Sequence, residues 1–216
     1  MMKIQFALIL FTVLTNVAIA SVFEGQITYE LTRSVSPIKG IMIVRIKDNL
    51  VRFEMFAPDK KNQYTNKTFA VRLDLNTQKI IKVRFAQYSV LEIDASLPME
   101  KTFLQPEEMV SLQKRNRLMG YDTEEYESFY FHNKHRLQIL AWYAPQLTAG
   151  PSMKPVWHLN PVGAPRYIYL FHPIYKMLAL KTSMKAIDGA VETLTAIEVK
   201  PMKLTEEDLS VSFKKP

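Results

Sequence analysis

The chain contains no cysteine. Disulfides, thiolate metal sites and thiol nucleophiles are excluded at once, and so is a lipid anchor on a leading cysteine. Glycine is scarce, six in 216 residues, and none of G-x-S-x-G, H-E-x-x-H or G-x-x-x-x-G-K occurs, so nothing points to a nucleophile elbow, a helical zinc pair or a phosphate loop. No apolar run reaches the ~20 residues of a spanning helix, and no segment repeats at a fixed period.

What is present begins with an address. Lys3, a largely apolar run from Phe6 to Leu14 and the close Ala18-Ile19-Ala20 read as a secretory signal cut between Ala20 and Ser21. The expected mature protein is one periplasmic domain, residues 21–216, large enough to bury a core without covalent staples. The net charge of +7 falls to +6 when Lys3 leaves. The basic residues are scattered, which suits solubility or an anionic membrane surface, and export argues against nucleic acid as a partner.

Strand patterns dominate. Phe23, Ile27, Tyr29 and Leu31 alternate with Glu24, Gln26, Thr28 and Glu30, the period of a half-buried strand. Ile41 to Lys47 and Leu50 to Phe56 flank Asp48-Asn49, residues suited to a tight turn. Thr68 to Leu75 and Lys79 to Phe85 form a second pair, with Ile81, Val83 and Phe85 set against Lys82 and Arg84. Further strands are expected at Tyr88–Asp94, Glu125–Phe131, Arg136–Tyr143, Arg166–Phe171, Met177–Met184, Glu192–Pro201 and Thr205–Phe213. Pro106, Glu107 and Glu108, followed by Met109 and Leu112, predict a short helix over Pro106–Arg115. Pro145 to Pro165, with five prolines and two glycines, reads as a long loop with the makings of a lid. The fold class expected is α+β, mainly antiparallel β: about ten strands in a strongly curved, unclosed barrel with one to three short helices as a lid.

Candidate polar sites are weak. His132 and His135 fall at a hairpin tip without a third ligand. His158 and His172 sit among apolar and aromatic residues, the setting of a neutral, hydrogen-bonded imidazole. The acidic run Tyr121–Glu127 reads as a solvated face, and Asn66-Lys67-Thr68 fits a glycosylation pattern that matters only in a eukaryotic secretory pathway. No catalytic residue, metal or cofactor is expected.

The surplus is apolar. Ile41–Val44, Leu137–Tyr143, Tyr167–Phe171 and Met177–Leu180 are apolar on both faces, and methionine is plentiful. Such strands are either covered on both sides or hold a greasy ligand in a concavity, and methionine suits either.

Phe23-Glu24-Gly25-Gln26-Ile27-Thr28-Tyr29-Glu30, the hairpin with Asn49–Glu54, Gly120-Tyr121-Asp122-Thr123-Glu124-Glu125-Tyr126, Leu140-Ala141-Trp142-Tyr143-Ala144 and the close Leu209–Phe213 resemble exported Gram-negative proteins of uncharacterised function that are similar to the LolA/LolB-type lipoprotein-carrier fold. The resemblance spans nearly the whole mature chain through short, degenerate elements. It implies a curved, unclosed sheet around short helices, with acyl chains held between them, and an arginine on an early strand, here Arg52 or Arg45, helping to hold the lid.

The resulting expectation is a monomeric, non-enzymatic periplasmic binder of lipid or lipoprotein acyl chains. Phe53, Met55, Val71, Leu73, Ile139, Trp142, Tyr169 and Leu178 are its candidate lining residues and Arg52 its candidate lid contact. An envelope scaffold or protein-interaction module filled by its own side chains is the alternative.

Overall fold

A computed structural model describes residues 22–61, 63–74, 76–77, 79–85, 89–94, 109–132, 135–150, 169–172, 174–185 and 189–211. The strands are β1 (Gly25–Arg33), β2 (Ser36–Lys47), β3 (Leu50–Ala57), β4 (Asn66–Asp74), β5 (Lys79–Arg84), β6 (Ser89–Asp94), β7 (Val110–Leu118), β8 (Tyr121–His132), β9 (His135–Thr148), β10 (Met177–Lys185) and β11 (Val191–Pro201). They form one antiparallel sheet of order β6-β5-β4-β3-β2-β1-β11-β10-β9-β8-β7, which is not closed into a barrel. The expected mainly antiparallel architecture is present, with eleven strands among the described residues.

Two meanders meet where β1 pairs with β11. Alternation along β1 buries Ile27 and Tyr29, and the β2–β3 hairpin turns at Asp48 with φ of 49°, a conformation that aspartate tolerates. Successive pairings Ile27↔Val44, Val44↔Phe53 and Phe53↔Val71 run one apolar row across four strands.

Several contacts rule out a flat sheet. A Cβ at Gly150 would stand 2.7 Å from the Asp48 carbonyl oxygen, although Gly150 follows β9 and Asp48 follows β2, four strand intervals or about 19 Å apart in a flat sheet. Val22, ahead of β1, bridges Thr148 of β9. One hydrophobic cluster takes side chains from both meanders, including Val51 and Ile80 on one side and Leu137 and Tyr143 on the other.

Four local expectations are corrected. Residues 110–115, expected in a helix, belong to β7. There Gln113 has φ of 57° and the pairing with β8 slips between Ser111 and Arg115; the bulge breaks the alternation that would have announced a strand. Residues 106–108 of that expected helix lie outside the described residues. The expected last strand is instead α1 (Glu206–Leu209), started by a capping box between Thr205 and Asp208. Of the expected strand Arg166–Phe171, residues 166–168 lie outside the described residues; Tyr169 and Leu170 form a short 3-10 turn, and Phe171 bridges Leu178. In β5 the register Leu73↔Ile80 and Val71↔Lys82 puts Ile80 and Lys82, not Ile81 and Val83, on the face of the apolar row.

The expected Pro145–Pro165 loop begins later than its composition suggested, because β9 continues to Thr148; residues 151–165 lie outside the described residues. The edge strand β7 carries exposed Lys114, Arg115 and Arg117 together with its bulge, features that discourage a further strand from pairing.

Candidate functional site

One face of the sheet is apolar from β5 to β9. Phe53, Met55, Val71, Leu73, Ile139, Tyr169 and Leu178 all join its buried cluster. Phe53 of β3 reaches Phe171, whose backbone bridges β10, with ring centroids 6.2 Å apart and nearly perpendicular, the favoured edge-to-face geometry.

The remaining two candidates lie on the opposite face. Arg52 precedes Phe53 in the strand, and Trp142 stands between buried Ala141 and Tyr143; a period of two sends each away from its buried neighbours. Trp142 receives the Lys181 ammonium over its ring at 4.7 Å. Arg52 holds α1: it donates to the carbonyl of Asp208 at 2.8 Å and to that of Glu207 at 3.4 Å. The helix that this arginine secures is thus the C-terminal one, on the face away from the apolar row.

Beside Arg52 lies a buried ion cluster. Glu54, 2% exposed, accepts from Arg52 at 2.6 Å and from Arg45 and Lys67. Burial raises its pKa, but the hydrogen bond from Lys67 and the charges of Arg52 and Lys67 outweigh that and hold it below the usual carboxylate range. Arg45, Arg52 and Arg72 stand directly opposite one another on β2, β3 and β4, so Glu54 also relieves a row of like charges.

Polar groups interrupt the apolar face at a few points. The Tyr29 hydroxyl donates to the Ala179 carbonyl and the Tyr143 hydroxyl to that of Tyr169, each at 2.8 Å. Burial pushes both hydroxyl pKa values up. Lys82 is buried in line with Val71, its ammonium 5.6 Å from the Phe69 ring centre. Burial, helped by Arg84, lowers its pKa to about 8.

No family model matches the chain, and no curated protein matches its sequence.

His172 is neutral and buried, as its apolar setting suggested. Its Nδ1 accepts the N–H groups of Ile174 and Tyr175 at 3.2 and 3.1 Å, which leaves the proton on Nε2. Tyr126 and Tyr143 flank it edge to face at 4.9 and 5.0 Å. Burial lowers its pKa to about 4. His132 and His135 are opposed at the end of the β8–β9 hairpin, while His158 lies outside the described residues.

The acidic run is not uniformly solvated. Glu125 and Thr123 are buried, Lys114 stands 3.9 Å from Glu125, and Glu124 accepts the Ser111 hydroxyl. Among the described residues, no three of His, Cys, Asp and Glu converge as metal ligands, and no helix is long and apolar enough to cross a membrane. Two open clefts lie at the same end of the sheet: about 520 Å³ between Arg115, Asp122 and Pro145, and about 470 Å³ between Val22, Tyr121, Leu147 and Met202. Neither is lined by a candidate acyl-lining residue; the first takes Asp122, Thr123 and Glu124, and the second Tyr121, from the acidic run.

Sequence reasoning missed Lys82, the buried tyrosine hydroxyls and the ion cluster around Glu54. The pattern Ile80-x-Lys82 held the first, since residues two apart share a strand face.

Proposed function

We propose that the protein is a non-enzymatic periplasmic carrier, exported by a signal peptide over residues 1–20, that holds lipid or lipoprotein acyl chains between the halves of a strongly curved, unclosed barrel. The observation that carries this reading is the largely apolar face of an unclosed eleven-stranded sheet, bent until β3 and the strap before β10 touch at Phe53 and Phe171. An unclosed sheet can widen by sliding or splaying, whereas a sealed barrel cannot; an apolar chain entering between the halves exchanges water for CH₂ contacts. The gain is about 0.8 kcal/mol per methylene.

The envelope-scaffold reading draws on a different observation: Phe53, Tyr143 and Leu178 are already almost fully buried by the protein's own side chains. A saturated fatty-acid series separates the two. A carrier binds each longer homologue about fourfold more tightly per methylene until the concavity is full, and a self-filled scaffold gives no saturable binding at any length.

A further inference from the structure

We infer that the turn Ile174-Tyr175-Lys176 is a docking finger for an anionic phospholipid surface. The inference does not depend on whether the sheet carries a ligand.

Single exposed apolar residues are ordinary on a protein surface. Here two large ones are adjacent at one turn, Ile174 68% and Tyr175 60% exposed, the Tyr175 ring resting against that of His172 at 4.6 Å, next to an exposed lysine. The turn is built to hold them there. His172, 1% exposed, anchors its base, its Nδ1 accepting the N–H groups of Ile174 and Tyr175. The Lys176 N–H donates to the His172 carbonyl at 3.1 Å, and the His172 N–H to the Met177 carbonyl at 2.8 Å. Lys176 takes φ of 57° to close the loop.

This arrangement bears on membranes in particular. A segment entering the interfacial layer must leave no backbone donor stranded, and the N–H groups of all three tip residues are satisfied inside the turn. Tyrosine and lysine suit that depth, each with an apolar body and a polar end that reaches the headgroups.

The surroundings continue the pattern. The Lys176 carbonyl accepts from Ala149 at 2.8 Å, and exposed Val22 bridges the adjoining Thr148. Val22, Met202 and Lys203 then share one cleft. Glu24, the carboxylate in that cleft, accepts the Leu204 N–H and lies 4.0 Å from Lys47. An apolar tip that carries Lys176, on a mature chain of net charge +6, is complementary to an anionic bilayer.

Co-sedimentation of the purified mature protein with phosphatidylglycerol-containing vesicles and with pure phosphatidylcholine vesicles tests this. The expected result is salt-sensitive binding to the anionic vesicles. Ile174→Ser should weaken it about tenfold, and Lys176→Asn, which tolerates the same backbone conformation, about fivefold. Ile174→Trp should tighten binding, an outcome that a folding defect cannot mimic. Val35→Ser, at the β1–β2 turn on the opposite end of the sheet, should change nothing. Failure of the unaltered protein to bind either vesicle, or Ile174 variants that match it, would overturn the inference and leave the tip to a protein partner.

Discussion

Phe53 and Phe171 meet edge to face with their ring centres 6.2 Å apart, joining a strand of the first meander to the strap that precedes β10. In sheet order β3 and β10 are separated by β2, β1 and β11. Curvature of the sheet between them brings the two apolar half-faces to one another, and this aromatic pair is a direct point of contact between them.

Truncating that contact should be costly. Phe53→Ala removes a buried aromatic ring from the cluster, and is expected to lower unfolding free energy by about 3–5 kcal/mol, read from urea denaturation. An exposed substitution such as Val35→Ser serves as the reference and should stay within about 0.5 kcal/mol.

Glu54 sets an acid limit on stability. Its folded pKa is below its unfolded value, so its contribution is complete above the ordinary glutamate range and disappears as pH falls through the depressed value. Glu54→Gln should destabilise the protein by about 3 kcal/mol at neutral pH, because Arg45, Arg52 and Lys67 lose their shared carboxylate. The same variant should show a flatter stability curve below pH ~4.5.

His172 acts in a higher window. Its pKa falls from 6.5 to about 4 on folding, so the unfolded chain binds more protons between those values and stability drops as pH falls from 6.5 towards 4. The full effect is on the order of 3 kcal/mol. His172→Asn, whose amide oxygen can stand in for Nδ1 without titrating, should remove that slope from pH-dependent thermal melts. A proton titration of His172 by NMR with a midpoint near 6.5 would contradict the assignment.

The glycines are not equivalent. A Cβ at Gly25 would collide with the Lys200 carbonyl oxygen on β11, whereas Gly120, with φ of 84°, has open space around it. Gly25→Ala should therefore cost several kcal/mol by prying the β1–β11 seam apart, and Gly120→Ala only about 1–2 kcal/mol from the left-handed backbone. Thermal unfolding of the two variants side by side checks the order.

Much of the sheet was legible because Ile27-x-Tyr29, Val51-x-Phe53-x-Met55 and Leu137-x-Ile139-x-Ala141 place apolar residues at alternate, buried positions. β7 was hidden because the bulge at Gln113 breaks that period. α1 was hidden because a single helical turn rests on one capping box, with little apolar pattern of its own. The faces of Arg52 and Trp142 followed from alternation with their buried neighbours. Their grouping with Phe53 and Ile139 weighted residue type over strand parity. The partner of Lys67 and Arg45, in contrast, depended on register between strands, which no local pattern encodes.

The central claim is that the apolar face accepts an acyl chain, and native mass spectrometry of the mature protein purified from its own envelope, followed by organic extraction and lipid analysis, tests it most directly. The account predicts a stoichiometric acyl lipid that is released on extraction. A clean apo mass, from a protein that also takes up neither added fatty acid nor phospholipid, would contradict it.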